Sequence, residues 1–174
     1  MQKKWAQYWL FQTIGWGSFA LINTFFAFSF DKLTPTFFGR IGVIVLVGVI
    51  VSHIMREIIN RVGILQKSLN KQLIQFIILT FCLSLVASFI AVEFLIQFDL
   101  LRAEDQLLLN RKGVSDFINK LLLVLSSAFS YFILLFIWNL IYFMYHYVTK
   151  SRKQQLDTLR LESLVKELEL QTIK

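Results

Sequence analysis

Four long apolar runs, at about 6–29, 41–60, 73–97 and 118–147, alternate along the chain with three short polar connections. A bilayer core about 30 Å thick needs roughly 20 apolar residues in helical form, so each run predicts a transmembrane helix. The expected fold is an all-α membrane protein. An up-down four-helix transmembrane bundle occupies residues 1–148, and a cytoplasmic signalling helix occupies 149–174. After Val148 the pattern changes to SRKQQLDTLRLESLVKELELQTIK, in which no Gly or Pro stops a helix continuing out of the fourth run. Its apolar positions form two partial stripes, Leu156/Leu159/Leu170/Ile173 and Leu161/Leu164/Leu168. Neither is an unbroken heptad seam, so a short parallel coiled coil is expected without a readable register. The alternative for this tail is an amphipathic helix lying on the membrane, a role that Glu162, Glu167 and Glu169 suit poorly beside an anionic leaflet.

Composition strengthens the membrane reading and charge gives it a direction. The 174 residues are 56% hydrophobic, with a mean hydropathy of +0.63, against an apolar share of about 45–50% in soluble domains. Eighteen Lys and Arg face eleven Asp and Glu, and the excess is collected in particular segments. Arg56, Arg61, Lys67 and Lys71 fill the second connection, Lys3 and Lys4 precede the first run, and Lys150, Arg152 and Lys153 open the tail. Cationic short loops resist translocation, so these three segments are expected on the cytoplasmic side. The connection at 31–40 has only Lys32 and Arg40, and 99–117 balances its cations with Asp99, Glu104, Asp105 and Asp116. These are the expected outer loops. Trp5, Tyr8 and Trp9, and then Trp138, Tyr142, Tyr145 and Tyr147, are interfacial anchors at the cytoplasmic boundary. The first run has the outline of a signal peptide ending at Ala27-Phe28-Ser29, but it is too long and too aromatic for an h-region.

Candidate chemistry is sparse. Cys82 is the single cysteine, which excludes an intrachain disulfide and a thiolate metal cluster. No helix-borne His-Glu-x-x-His, phosphate loop or Ser-His-Asp set is present, so neither catalytic nor metal-binding residues are expected. His53 and His146 fall at helix ends, where hydrogen bonds to water, headgroups or neighbours suffice. The candidates for sensing are polar residues inside the apolar runs. Glu93 is an acid within an apolar span, and intramembrane acids tend to face a bundle interior and to be functional. It is also close enough to the end of its run to reach the interface as a plain anchor, and both readings stay open. Asn23 and Asn139 are amides suited to helix–helix hydrogen bonds, and Gly42, Gly48 and Ser52, like Ser126, Ser127, Ala128 and Ser130, offer small faces for close helix approach. The basic 56–71 connection is read as meeting anionic lipid headgroups rather than nucleic acid.

Tyr8-Trp9-Leu10-Phe11-Gln12 with Gly15-Trp16, Ser52-His53-Ile54-Met55-Arg56 running into Arg61-Val62-Gly63, and Trp138-Asn139-Leu140-Ile141-Tyr142-Phe143-Met144-Tyr145-His146-Tyr147 form a set. Together these segments resemble the membrane region of bacterial LytS-type sensor histidine kinases. The tail from Leu161-Glu162-Ser163 to Leu168-Glu169-Leu170-Gln171 is similar to the helix that leads, in that family, into a phosphoacceptor box, which this chain does not contain. The resemblance implies signal perception and transmission for a two-component histidine kinase in the bacterial inner membrane. It also implies homodimerisation and a cognate response regulator as partner. ATP and Mg would serve only a kinase domain beyond Lys174, and the residues present are not themselves an enzyme. Outer connections of about 10 and 20 residues leave no room for a separate external ligand-binding domain, so the stimulus is expected to act within or beside the membrane. The rival class is a small homodimeric proton-coupled transporter using Glu93.

Overall fold

A computed structural model describes the backbone of Gln2–Thr172 and the side chains of residues 8–169 and Gln171. The side chains of Trp5 and Leu170, and the whole of Ile173, lie outside the described residues. Within them the chain is helix and turn, with no strand: α1 (Gln2–Ser29), α2 (Pro35–Val62), a single 3-10 turn (Ile64–Gln66), α3 (Leu69–Gln97), a short α4 (Ala103–Leu109) and α5 (Asp116–Thr172). Three of these helices, α2, α3 and α5, are long and apolar enough to cross a membrane. The chain is an all-helical, multi-pass membrane protein. The short α4 lies inside a connection that the hydropathy pattern leaves unstructured, because seven residues are too few to show a period.

Helix ends are set by local chemistry. Thr34 caps α2, its hydroxyl accepting from the Phe37 amide at 3.1 Å, and Pro35 follows where its missing N–H costs nothing. At the end of α1, Asp31 takes a left-handed φ of 51°, and its amide and that of Lys32 bond back to Phe28 and Ala27. Asp99 repeats this at the end of α3 with a φ of 52°, its amide and that of Leu100 bonding back to Ile96 and Leu95. Both ends close as Schellman turns with Asp in the place where Gly is commonest. Between α2 and α3, Gly63 turns the chain at φ 63°, and the buried Gln72 amide donates to the carbonyls of Leu65 and Lys67.

Two compact units divide the chain, Met1–Trp138 and Asn139–Lys174. In the first, α2 packs most closely on α3. Its buried positions Val47, Gly48, Val51, Ser52, Met55 and Ile59 recur at three- and four-residue steps, which is one helical face. The buried stripe on α3 is small: Thr80, Ser84, Ala87, Ser88 and Ala91. The hydroxyls of Thr80, Ser84 and Ser88 bond to carbonyls of their own helix, so they pack without exposing an unsatisfied donor. Of the small faces expected from sequence, Gly48 and Ser52 are packed, whereas Gly42 has open space beside it and Ser126 and Ser130 are exposed. Phe81 on α3 and Phe129 on α5 are more than half exposed, as befits helices solvated by lipid, and Leu21 and Phe25 on α1 are exposed to a similar degree.

In the second unit α5 continues to Thr172, and Gly and Pro are absent from the whole helix. Asn139 is buried. His146 lies edge-on to Tyr142 and Tyr145, and Phe143 stacks on Tyr147. Tyr145 and Tyr147 are exposed. Leu156, Leu159, Leu161, Leu164 and Leu168 are all exposed, each with more than half of its surface open.

Candidate functional site: two polar constellations in an apolar bundle

Tyr8, Gln12 and Trp16 are spaced four residues apart and share one face of α1, while Gly48, Ser52 and Arg56 do the same on α2. The two faces meet. Gln12 Nε2 donates to the Tyr8 hydroxyl oxygen at 2.6 Å and to Ser52 Oγ at 2.9 Å, and Trp16 Nε1 donates to Ser52 Oγ at 3.4 Å. The single Ser52 proton serves either the Val49 carbonyl, 3.0 Å away, or Gln12 Oε1, 3.2 Å away. Because the Tyr8 oxygen accepts from Gln12, its own proton is available for His53 Nδ1 at 3.0 Å. The imidazole tautomer that completes the chain therefore carries its proton on Nε2.

Aromatic and cationic groups close the cluster. Arg56 lies over the Tyr8 ring at 4.0 Å, Trp9 stacks on His53 at 6.3 Å, and Tyr8 meets Trp138 edge-on. Gln12, Ser52, Tyr8 and Trp16 are buried, and Trp16 occupies the space left by the missing side chain of Gly48. A buried polar group in an apolar interior is tolerated only when it is hydrogen-bonded. Here the network supplies those bonds while fixing the rotation of α1 against α2. The sequence contains the cues, since Gln12 and Ser52 interrupt apolar runs at helical spacing, but their pairing across 40 residues is a tertiary fact.

The second constellation is at the opposite end of the helices. Leu100 covers Gly39, which brings the 30–34 and 98–115 connections near one another. There Glu93 on α3 forms an ion pair with Lys120 on α5 at 2.5 Å, both side chains about two-fifths exposed. Sequence alone does not single out Lys120, because a lysine in the first turn of an apolar run reads as an ordinary boundary residue. Beside it, Asn119 has no exposed surface, and its Nδ2 donates to the carbonyls of Leu109 at 3.2 Å and Arg111 at 3.3 Å. Val92, Leu123 and Val124 form an apolar cluster, with Leu101 and Leu109 packed on it.

No protein-family model, curated protein or solved structure matches this chain. The segments around Tyr8–Trp16 and Ser52–Arg56 are the ones whose side chains meet in the buried network. Of the other expected candidates, Asn23 turns back on its own helix, its Nδ2 donating to the Phe19 carbonyl at 2.8 Å. The short amide reaches the carbonyl four residues back more easily than a partner on another helix. Asn139 is buried, and Trp9 keeps 40% of its surface exposed beside His53. Among the described residues no group of three or more His, Cys, Asp or Glu is placed to hold a metal ion.

Proposed function

We propose that this chain is the membrane-embedded signal-perception and transmission module of a two-component sensor histidine kinase. In this reading α1 crosses the bilayer together with α2, α3 and α5, and the N-terminus and the tail are both cytoplasmic. Two copies associate, at least through α5, with the exposed tail leucines Leu156 to Leu168 contributing to a short coiled coil. The kinase domain implied by the resemblance would follow the tail, bind ATP and Mg, and phosphorylate the response regulator.

The observation that carries the reading is α5 itself. A single helix of 57 residues joins an apolar, membrane-length stretch to a charged stretch with no glycine or proline to absorb a twist. Such a rod passes rotation or displacement from the membrane to whatever follows it. A stimulus need only discriminate between two arrangements by a few kcal/mol to shift their populations. Proton-coupled transport through Glu93 is less well supported, because that carboxylate is engaged by Lys120 rather than open for exchange.

The test is helical phase in the native full-length protein. One residue inserted after Lys153 turns everything downstream by about 100°, whereas seven leave a drift of about 20°. Insertions of one to three residues should lock kinase output high or low, and a seven-residue insertion should largely preserve regulation. Equal regulation at every insertion length, or absence of autophosphorylation altogether, would refute transmission through a rigid α5.

A further inference from the structure

The Glu93–Lys120 ion pair joins two helices, whereas Glu57–Arg61 lies within α2. Its surroundings give that link a direction. Lys120 follows Asn119, whose buried amide ties the carbonyls of Leu109 and Arg111 to the first turns of α5. One turn further along, Leu123 and Val124 pack with Val92, the residue next to Glu93, and with Leu101 and Leu109 of the long connection. Residues 119, 120, 123 and 124 thus attach the loop end of α5 to α3 and to the 98–115 connection by three different kinds of contact.

These contacts differ in how easily they open. The apolar cluster and the Asn119 amide are buried, so separating them exposes apolar surface or strands polar groups. The Glu93–Lys120 pair is two-fifths exposed, and an exposed ion pair weakens wherever other polar groups or ions compete for its charges. Of the three it is the contact most easily opened. Its two halves sit on the helix that carries the tail and on a helix that does not.

We propose that Asn119 and Lys120 form a clasp at the loop end of α5, in which Asn119 is the fixed hinge and the Glu93–Lys120 pair is the releasable catch. Opening the catch frees the end of α5 to move against α3, and that motion is the input to the tail. The role as input rests on the sensor reading given above; the clasp itself does not.

The experiment uses charge reversal with rescue. In the intact chain in lipid nanodiscs, with Cys82→Ser as background, spin labels are placed at the exposed Ile96 and Phe117. Glu93→Lys and Lys120→Glu should each lengthen or broaden the label-to-label distance by about 1–2 Å or more, the scale of helix shifts at switching interfaces. The double reversal, which restores opposite charges, should return the parent distribution. The same reversals at Glu57 and Arg61 should leave it unchanged. An unchanged distribution in both single variants, or no recovery in the double, overturns the clasp.

Kinase output of the same variants in the native full-length protein separates the clasp from its role as input. Single reversals should hold output at one extreme, and the double should regain regulation. If output ignores the reversals but still responds to insertions after Lys153, the sensor reading stands and the clasp is not its input. If output ignores both, the sensor reading itself fails.

Discussion

Replacing Ser52 by alanine removes one oxygen, yet the geometry makes it a costly change in the α1–α2 contact. Ser52 Oγ accepts from both Gln12 and Trp16, at 2.9 and 3.4 Å. Hydrogen bonds between membrane helices contribute about 0.6 kcal/mol on average, so their loss amounts to about 1 kcal/mol. Gln12 keeps Tyr8 as a partner, but the Trp16 indole N–H, on a side chain only 4% exposed, is left with no acceptor. An orphaned buried donor costs about 1–3 kcal/mol. The long Trp16 bond argues for the lower part of that range, giving about 2 kcal/mol in all for Ser52→Ala. Gln12→Leu removes a larger polar group and orphans nothing, because Tyr8 retains His53 and Ser52 retains the Val49 carbonyl. It should cost about 1 kcal/mol.

The two costs are separable by reversible unfolding in mixed micelles, followed by far-UV circular dichroism so that changing a tryptophan does not change the probe. Trp16→Phe, which removes the N–H, should be less damaging in the Ser52→Ala background than in the parent. The shortfall from additivity should be at least about 0.5 kcal/mol, as expected for residues in one network. If Gln12→Leu destabilises as much as Ser52→Ala, or if the Trp16 and Ser52 changes simply add, stranding the buried N–H is not the main cost and the reasoning fails.

Packing and topology can be checked alongside. Gly48→Ala places a methyl group into the Trp16 ring and should cost about 1–3 kcal/mol by overpacking, whereas Gly42→Ala meets open space and should stabilise α2 slightly through helix propensity. Equal effects at the two glycines in the same unfolding assay would mean that Trp16 does not fill the Gly48 notch. For sidedness, cysteines at Lys67 and Ser151 should be shielded from an impermeant thiol reagent in intact spheroplasts, while one at Glu104 should label. External labelling at Lys67 would reverse the assigned orientation.

Much of the architecture is legible in the chain because the bilayer demands few things and demands them strongly. Backbone groups in hydrocarbon must be satisfied within the helix, and about 20 apolar residues are needed to cross. Hydropathy alone therefore locates the long helices, and the absence of Gly and Pro after Asp116 lets α5 run on to Thr172. The expected 6–29, 73–97 and 118–147 runs fall inside α1, α3 and α5, and 41–60 falls inside α2, whose Thr34-Pro35 start lies several residues earlier. There a side-chain cap rather than hydropathy decides the boundary. The far ends of α1 and α3 fall where the expected runs end, at 29 and 97, and Asp31 and Asp99 close them in the left-handed turn usually given to glycine.

Partnership is the part that only tertiary structure decides. Glu93 stands out in the sequence as an acid in an apolar run, but nothing in a linear pattern gives it Lys120, 27 residues away on another helix. Asn23 and Gln12 look alike as amides in the same run. One folds back on its own helix, its amide donating to the Phe19 carbonyl, and the other bridges to Ser52 on α2. Periodicity gives each helix a face; which face meets which depends on helix rotation and close approach. Here these are set by single sites such as Gly48, where the lack of a side chain admits the Trp16 ring. Lipid solvates any apolar face equally well, so hydropathy carries no information about that choice, and small residues and buried polar pairs make it instead.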